Sequence, residues 1–254
     1  MSVSRLAWIA ASALVFCVIV AAWQQAADAR VFSPVFFPGP DRIWSALHRG
    51  WTQGDLAART ATTLGHMLVG WLLASVVGVA LGAVIGLSPL ASAYLKPTLE
   101  LLRPLPASAT IPVAIALLGL GESMVLAVIA FGAVWPMLVG TMHGVQSVEP
   151  RLLEVAHALG MPRRRVIRDI ALPSAIPDIL AGLRLSLTVA LILTAVTEMM
   201  AGGDGLGAAI LDAGRLMRSA NVFAGVAILG LIGMAGAMLL SILEARCLRW
   251  RLAS

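Results

Sequence analysis

Between positions 64 and 87 the chain carries no Asp, Glu, Lys or Arg. A run of that length is long enough to cross the hydrocarbon core of a bilayer as a helix, which takes about 20 apolar residues. The run has companions. Residues 6–23, 123–142 and 222–243 also lack those four residue types, and 183–201 holds only Arg184 and Glu198. Residues 94–121 make a sixth, irregular stretch, interrupted by Pro97, Pro104, Pro106 and Pro112. Each of those prolines removes a backbone donor and can kink a helix. Non-helical backbone at membrane depth is tolerated where it is buried in protein or lines a watery cavity, so this stretch is expected to face the interior of an assembly. Composition agrees, with 59% hydrophobic and 12% charged residues over 254 positions, where soluble domains carry roughly 25% charged. The predicted fold class is therefore all-α, a polytopic membrane protein of about six transmembrane helices.

Three segments follow. Residues 1–62 hold the first span and a Pro-containing, charge-balanced extracytoplasmic segment. Residues 63–246 form the core, with a long loop at 144–182, and 247–254 form a tail. Ala27-Asp28-Ala29 loosely resembles a signal-peptide cleavage site, but residues 6–23 are read as an uncleaved first span.

The 18 basic residues include one lysine, Lys96, and outnumber the 13 acidic ones. In a soluble domain that excess would suggest nucleic acid. In a membrane chain it marks cytoplasmic loops, so no nucleic-acid partner is expected. With both termini inside, the inner segments hold Arg5, Lys96, Arg151, Arg163, Arg164, Arg165, Arg168, Arg246, Arg249 and Arg251, ten cations. The outer ones hold six: Arg30, Arg42, Arg49, Arg59, Arg215 and Arg218. Both termini and the 144–182 loop are thus predicted to be cytoplasmic.

Small residues recur every four positions along the second span, at Gly70, Ala74, Gly78, Gly82 and Gly86. That spacing lines one helix face and admits a close neighbour. Gly230, Gly233, Ala237 and Ser241 suggest a second such ridge in the sixth span.

The 144–182 loop has helical patterning of its own. Leu152, Val155, Ala156 and Leu159 fall on one face. Gly160 follows where a left-handed C-cap is common, and Pro162 stands just beyond. A second short helix is expected over 163–172, ending before Pro173, with Ser174 or Pro177-Asp178 opening the run into the fifth span. A short apolar-faced helix on a membrane protein can lie on lipid or enter a groove on a partner, and patterning leaves both open.

The stretch Glu154-Val155-Ala156, three residues, Gly160, nine residues, Ile170, one residue, Leu172-Pro173 resembles the EAA loop of the membrane subunits of bacterial ABC importers, with Val155 in place of the middle alanine. Leu102-Arg103-Pro104-Leu105-Pro106, the segment 147–153, and Glu198-Met199 followed by Gly205-Leu206-Gly207 resemble the nitrate, sulfonate, taurine and bicarbonate branch of these permeases. The resemblance covers nearly the whole chain. It implies a type I importer fold in the bacterial inner membrane and makes 152–159 a coupling helix that docks in a separate ATPase. It also implies as partners two ATPase subunits, a second permease copy and an extracytoplasmic solute-binding protein. The coupling residues would be Leu152, Glu154, Val155, Ala156, Leu159, Gly160, Ile170, Leu172 and Pro173.

A phosphate-binding loop needs a lysine in a glycine frame. Lys96 is followed by Pro97 and has no such frame, so ATP and Mg would belong to the partner ATPase and no cofactor is expected in this chain. The two cysteines and four histidines are scattered, which argues against a metal site. There is no G-x-S-x-G and no H-E-x-x-H, and by sequence no histidine has an evident partner, so an intramembrane enzyme is disfavoured. A passive channel has no obvious use for the patterned loop. Ionisable residues in spans are functional candidates. Arg103, Pro104, Pro106 and Glu198 are accordingly predicted to line a path for a small anion, against the simpler readings that Arg103 and Arg184 reach for the interface and that Glu198 caps or pairs.

Overall fold

A computed structural model describes residues 3–248 and is helical, with no strand among those residues. Arg249 and Arg251, and most of the 247–254 tail, lie outside the described residues. Five helices are long and apolar enough to cross a membrane: α1 (Val3–Asp28), α3 (Leu56–Leu87), α6 (Glu122–Gln146), α9 (Leu172–Ala201) with the turns that precede it, and α11 (Ser219–Cys247). Between α3 and α6 stand α4 (Pro89–Leu102), a 3-10 turn (Ala107–Thr110) and α5 (Ile111–Leu118). The chain bends there by 83° at residues 103–106. Pro104 and Pro106 occupy the bend and can neither donate to a helical ladder nor let the preceding residue stay helical easily.

Three helices make the core. α6 lies between α3 and α9, and the central apolar cluster takes Met67 and Ala74 from α3, Met124, Val128, Ile129 and Ala133 from α6, and Leu187, Ala190 and Leu193 from α9. Glycines set the spacing. A Cβ on Gly70 would meet Ile129, one on Gly78 would meet Met137, and one on Gly82 would lie 2.6 Å from the Leu138 carbonyl. On the other side of α6, a Cβ on Gly140 would lie 2.8 Å from the Asp178 carbonyl, and one on Gly144 would lie 3.0 Å from that of Ala175. Backbones this close gain dispersion contacts, the main attraction between helices in lipid. Two side chains add bonds between helices: Ser186 Oγ on α9 donates to Ala133 O on α6 at 2.7 Å, and Trp71 Nε1 on α3 donates to Leu183 O on α9 at 3.3 Å.

The sixth span is looser. Gly233 approaches Leu191, but a Cβ on Gly230 would meet nothing, and Gly233 and Ala237 line a gap between α11 and α9. The predicted ridge of the sixth span is therefore not a continuous seam, because α9 presents long leucines there instead of small residues.

Two further helices occupy the segments that the hydropathy leaves between spans. α2 (Pro40–Thr52) starts with Pro40 in its first turn, where a missing N–H costs nothing. It buries Ile43 and Ala46 against Ala224 of α11 and leaves Trp44 and Trp51 exposed. Trp23 of α1 anchors the same corner through Pro38 O, Phe37 and Phe223. α10 (Leu206–Arg215) folds back between α9 and α11.

The helix into the fifth span does not start where proline punctuation predicts. After α8 (Arg163–Val166) the chain passes through one π-helical turn, Ile167–Ala171, straight into α9. Pro173 lies in the first turn of α9 and Pro177 inside it, and neither ends the helix. The wide turn explains why. It loosens the hydrogen-bond ladder just upstream of Pro173, where the missing donor and the bulky ring would otherwise break it.

Candidate functional site

The bundle has two ends, and each concentrates polar chemistry. The first carries the connection from α6 to α9. Here α7 (Pro150–Ala158) begins with a proline in its first turn and stops in a complete glycine cap. Gly160 has φ +62°, Gly160 N–H donates to His157 O at 2.9 Å, and Met161 N–H donates to Ala156 O at 2.9 Å. This pairing satisfies carbonyls that a helix end leaves orphaned, and it fixes the direction in which the chain departs.

The predicted apolar face of α7 divides. Ala156 is buried at 1% exposure, while Leu152, Val155 and Leu159 stand 45%, 56% and 72% exposed. The small residue is buried, while the larger ones on the same face stay exposed. Glu154 and Gly160 are also exposed, Ile170 is half-buried, and Leu172 and Pro173 lead α9. Arg163 ties the connection to the bundle, since its Nη2 donates to Leu87 O at 2.8 Å. That contact places a cation on the C-terminal carbonyls of α3, where the helix dipole favours it.

At the opposite end Glu198 is buried to 2% exposure and fully engaged. Its Oε2 accepts from Thr63 Oγ1 at 2.8 Å and from Gly207 N–H at 3.0 Å, and its Oε1 lies 2.9 Å from His66 Nδ1. Thr63 Oγ1 also accepts from Leu206 N–H at 2.8 Å. The carboxylate thus sits on the N-terminus of α10, where free N–H groups and the dipole favour negative charge. An ionised Glu198 requires the His66 proton on Nδ1. Gly205 and Gly207 have a steric reason to be glycine: a Cβ on Gly205 would fall 2.0 Å from Glu198 Cδ, and one on Gly207 would fall 2.3 Å from Ala195 O. The expectation that no histidine has a partner is corrected here. His66 and Glu198 are far apart in sequence, so only the packing of α3 on α9 reveals the pair.

Glu198, His66, Glu122 and Asp204 also line a cavity of about 230 Å³ at this end. Arg103 lies elsewhere, on a second cavity between α3, α4 and α6, beside Pro104 and Pro106 at the bend. The structure therefore does not bring Arg103 and Glu198 into one site. Arg184 is paired instead, with Nη2 at 2.5 Å from Glu244 Oε2 and 3.0 Å from Ser241 Oγ on α11. Among the described residues no group of three or more His, Cys, Asp or Glu is placed to hold a metal.

Known proteins resemble this chain in sequence and fold. Residues 74–249 match the family described as binding-protein-dependent transport system inner membrane component. The putative aliphatic sulfonates transport permease protein SsuC of Bacillus subtilis (strain 168) is 32% identical over 92% of this chain and 85% of its own length. The taurine transport system permease protein TauC of Escherichia coli (strain K12) is 29% identical over 92% of this chain and 86% of its own. Among solved structures, an amino acid ABC transporter with histidines superposes with a TM-score of 0.63 at 21% identity, over 75% of this chain and 93% of that one.

Proposed function

Since the chain belongs to the family of binding-protein-dependent transport system inner membrane components, and is thus a multi-pass inner-membrane permease subunit and not an enzyme, we propose that α7 is the segment through which ATP hydrolysis on another subunit drives it. The observation that carries this reading is the exposed apolar stripe on α7: Leu152, Val155 and Leu159 stand free on the same face that buries the small Ala156. A helix that lies in a partner's groove needs such an outward apolar stripe. Glu154, Gly160, Ile170, Leu172 and Pro173 hold that stripe in place.

The lever is stiff. α7 is capped at Gly160, α8 just beyond the cap is tied to α3 by Arg163, and the flanking helices α6 and α9 are pressed together at Gly140, Gly144 and Gly182. A push on α7 then moves α3, α6 and α9 as one block instead of bending a loop. We infer a working assembly of two such permeases, two ATPase subunits that hold the ATP and Mg, and an extracytoplasmic binding protein. Loop charge supports an orientation with α7 and both termini in the cytoplasm. The bent segment with Arg103, Pro104 and Pro106 supports a path there, because broken backbone in a membrane needs a protein or water lining. Glu198 serves at the other end of that path, holding α3, α9 and α10 in register. The solute is a small molecule that carries an oxyanion group, with aliphatic sulfonates and the zwitterion taurine as the first candidates from the relatives' names.

The test is uptake of radiolabelled taurine and of methanesulfonate into proteoliposomes holding the permease, its ATPase and binding protein. Uptake that requires ATP and the binding protein supports the reading. Flux down a gradient without ATP would make the chain a channel and overturn it.

A further inference from the structure

We propose that residues 31–52 form a collar lying in the lipid–water interface. Phe36, Trp44 and Trp51 are set among headgroups and acyl-chain ends, and Arg42 and Arg49 are turned to the water side. This inference rests on the membrane reading of the long helices and adds how the segment between the first two spans is held.

Residues 31–40 carry no Asp, Glu, Lys or Arg, but hold three phenylalanines and two valines. A run this short cannot cross a bilayer and belongs either in a core or at an interface. Exposure decides between the two: Phe36 stands 65% exposed, and Val31, Phe32 and Val35 are exposed as well. α2 continues the surface. Trp44 and Trp51 are 70% and 55% exposed, and their spacing of two turns puts them on one side of the helix. Arg42 and Arg49 have the same spacing and fall on nearly the opposite side. Ile43 and Ala46 occupy a third side, packed on α11. A helix in the plane of the interface needs an apolar and a basic side of this kind. Indoles favour that depth because the ring is apolar and its N–H seeks an acceptor.

Two hydrogen bonds fix the level of the segment. Trp23 Nε1, near the end of α1, donates to Pro38 O at 3.2 Å. Ser219 Oγ, from the first residue of α11, donates to Val35 O. The packing of Ile43 and Ala46 on Ala224 adds a third tie, in the second turn of α11. The segment is thus level with the ends of two membrane-spanning helices, where hydrocarbon gives way to headgroups. A protein partner would call for an apolar centre ringed by polar side chains. On α2 the aromatic and basic residues lie on opposite sides instead. The charged groups at the junction with α1, Asp28, Arg30, Asp41 and Arg42, gather on a cavity of their own of about 180 Å³.

The test is spin labelling of the full-length permease in vesicles of phosphatidylethanolamine and phosphatidylglycerol. Cys17 and Cys247 are changed to serine, and Phe36→Cys, Trp44→Cys, Trp51→Cys, Arg49→Cys and Val76→Cys are labelled one at a time. All five positions are exposed, so a label there disturbs little packing. Collisions with oxygen, which concentrates among acyl chains, are compared with those of a water-soluble nickel chelate. The expected result is oxygen in excess at Phe36→Cys, Trp44→Cys and Trp51→Cys, and chelate in excess at Arg49→Cys. Chelate in excess at all four would put the segment in water and overturn the collar. Aromatic-side labels shielded from both reagents would show protein covering that face, and would overturn it too. Val76→Cys, midway along α3, separates this failure from that of the membrane reading. Oxygen in excess there, with chelate in excess at the collar, removes the collar alone, whereas chelate in excess at Val76→Cys overturns the spans themselves.

Discussion

His66 Nδ1 and Glu198 Oε1 lie 2.9 Å apart and join helices whose contacting residues are 132 positions apart in the chain. The pair belongs to a buried network that also holds Thr63 and the first N–H groups of α10, so one carboxylate ties three helices together.

Replacing Glu198 tests that role. Glu198→Ala leaves the Thr63 hydroxyl, the Gly207 N–H and His66 without their acceptor, and removing one partner of a buried pair costs about 3 kcal/mol or more. Glu198→Gln keeps one acceptor oxygen and falls between Glu198→Ala and wild type. Melting in detergent reads both. Wild-type stability in Glu198→Ala would show that the network contributes nothing.

Gly205→Ala strikes the same network from outside. Its Cβ would fall on the Glu198 carboxyl. The φ of Gly205 is −86°, which any residue adopts, so the expected loss comes from the collision alone. Restoring stability with a shorter acid, in the double variant Gly205→Ala with Glu198→Asp, checks that assignment.

The seam between α3 and α6 makes a paired prediction. Gly82→Ala forces a methyl against the Leu138 carbonyl, which cannot rotate aside, and overpacking of this kind costs about 1–3 kcal/mol. A Cβ on Gly65 would have nothing within 4 Å, so Gly65→Ala is neutral or gains up to about 1 kcal/mol from helix propensity. Equal melting temperatures for the two variants would dismiss the seam.

Much of the architecture is legible in the sequence because hydropathy reports where backbone must satisfy itself. The long helices α3, α6 and α11 overlap the uncharged runs, and Gly160 takes the left-handed conformation that its place after an apolar stripe implies. What stays hidden depends on long-range contact or on backbone detail. His66 finds Glu198 only once α3 meets α9. Pro173 reads as a stop and Pro177 as a possible start, but a π turn upstream absorbs the first and the helix runs through the second. α2 is concealed inside a polar segment, although Pro40, Ile43 and Ala46 mark its start and inner face. The division of the α7 stripe into a buried Ala156 and exposed larger residues follows from side-chain size, which a pattern of apolar positions does not weigh.

Gly160→Val separates rigidity from fold. Holding a β-branched residue at φ +62° costs about 1–2 kcal/mol, which frays the stop of α7 while leaving the spans intact. The expected result is a permease that still inserts and binds the ATPase but hydrolyses ATP with little uptake. Full coupling in this variant would argue that the cap is dispensable.

Where α7 points its free leucines decides whether it is a handle, and one crosslinking measurement reads that directly. With Cys17 and Cys247, both exposed, changed to serine, a single cysteine at Leu159 is given a short bifunctional reagent in membranes that hold the permease and its ATPase. The predicted result is a permease–ATPase adduct whose yield changes when ATP is added, and its loss when Val155→Arg is introduced alongside. No adduct, with a Leu159 probe quenched by lipid-borne nitroxide instead, would place α7 on the membrane and contradict its role as the handle of the motor.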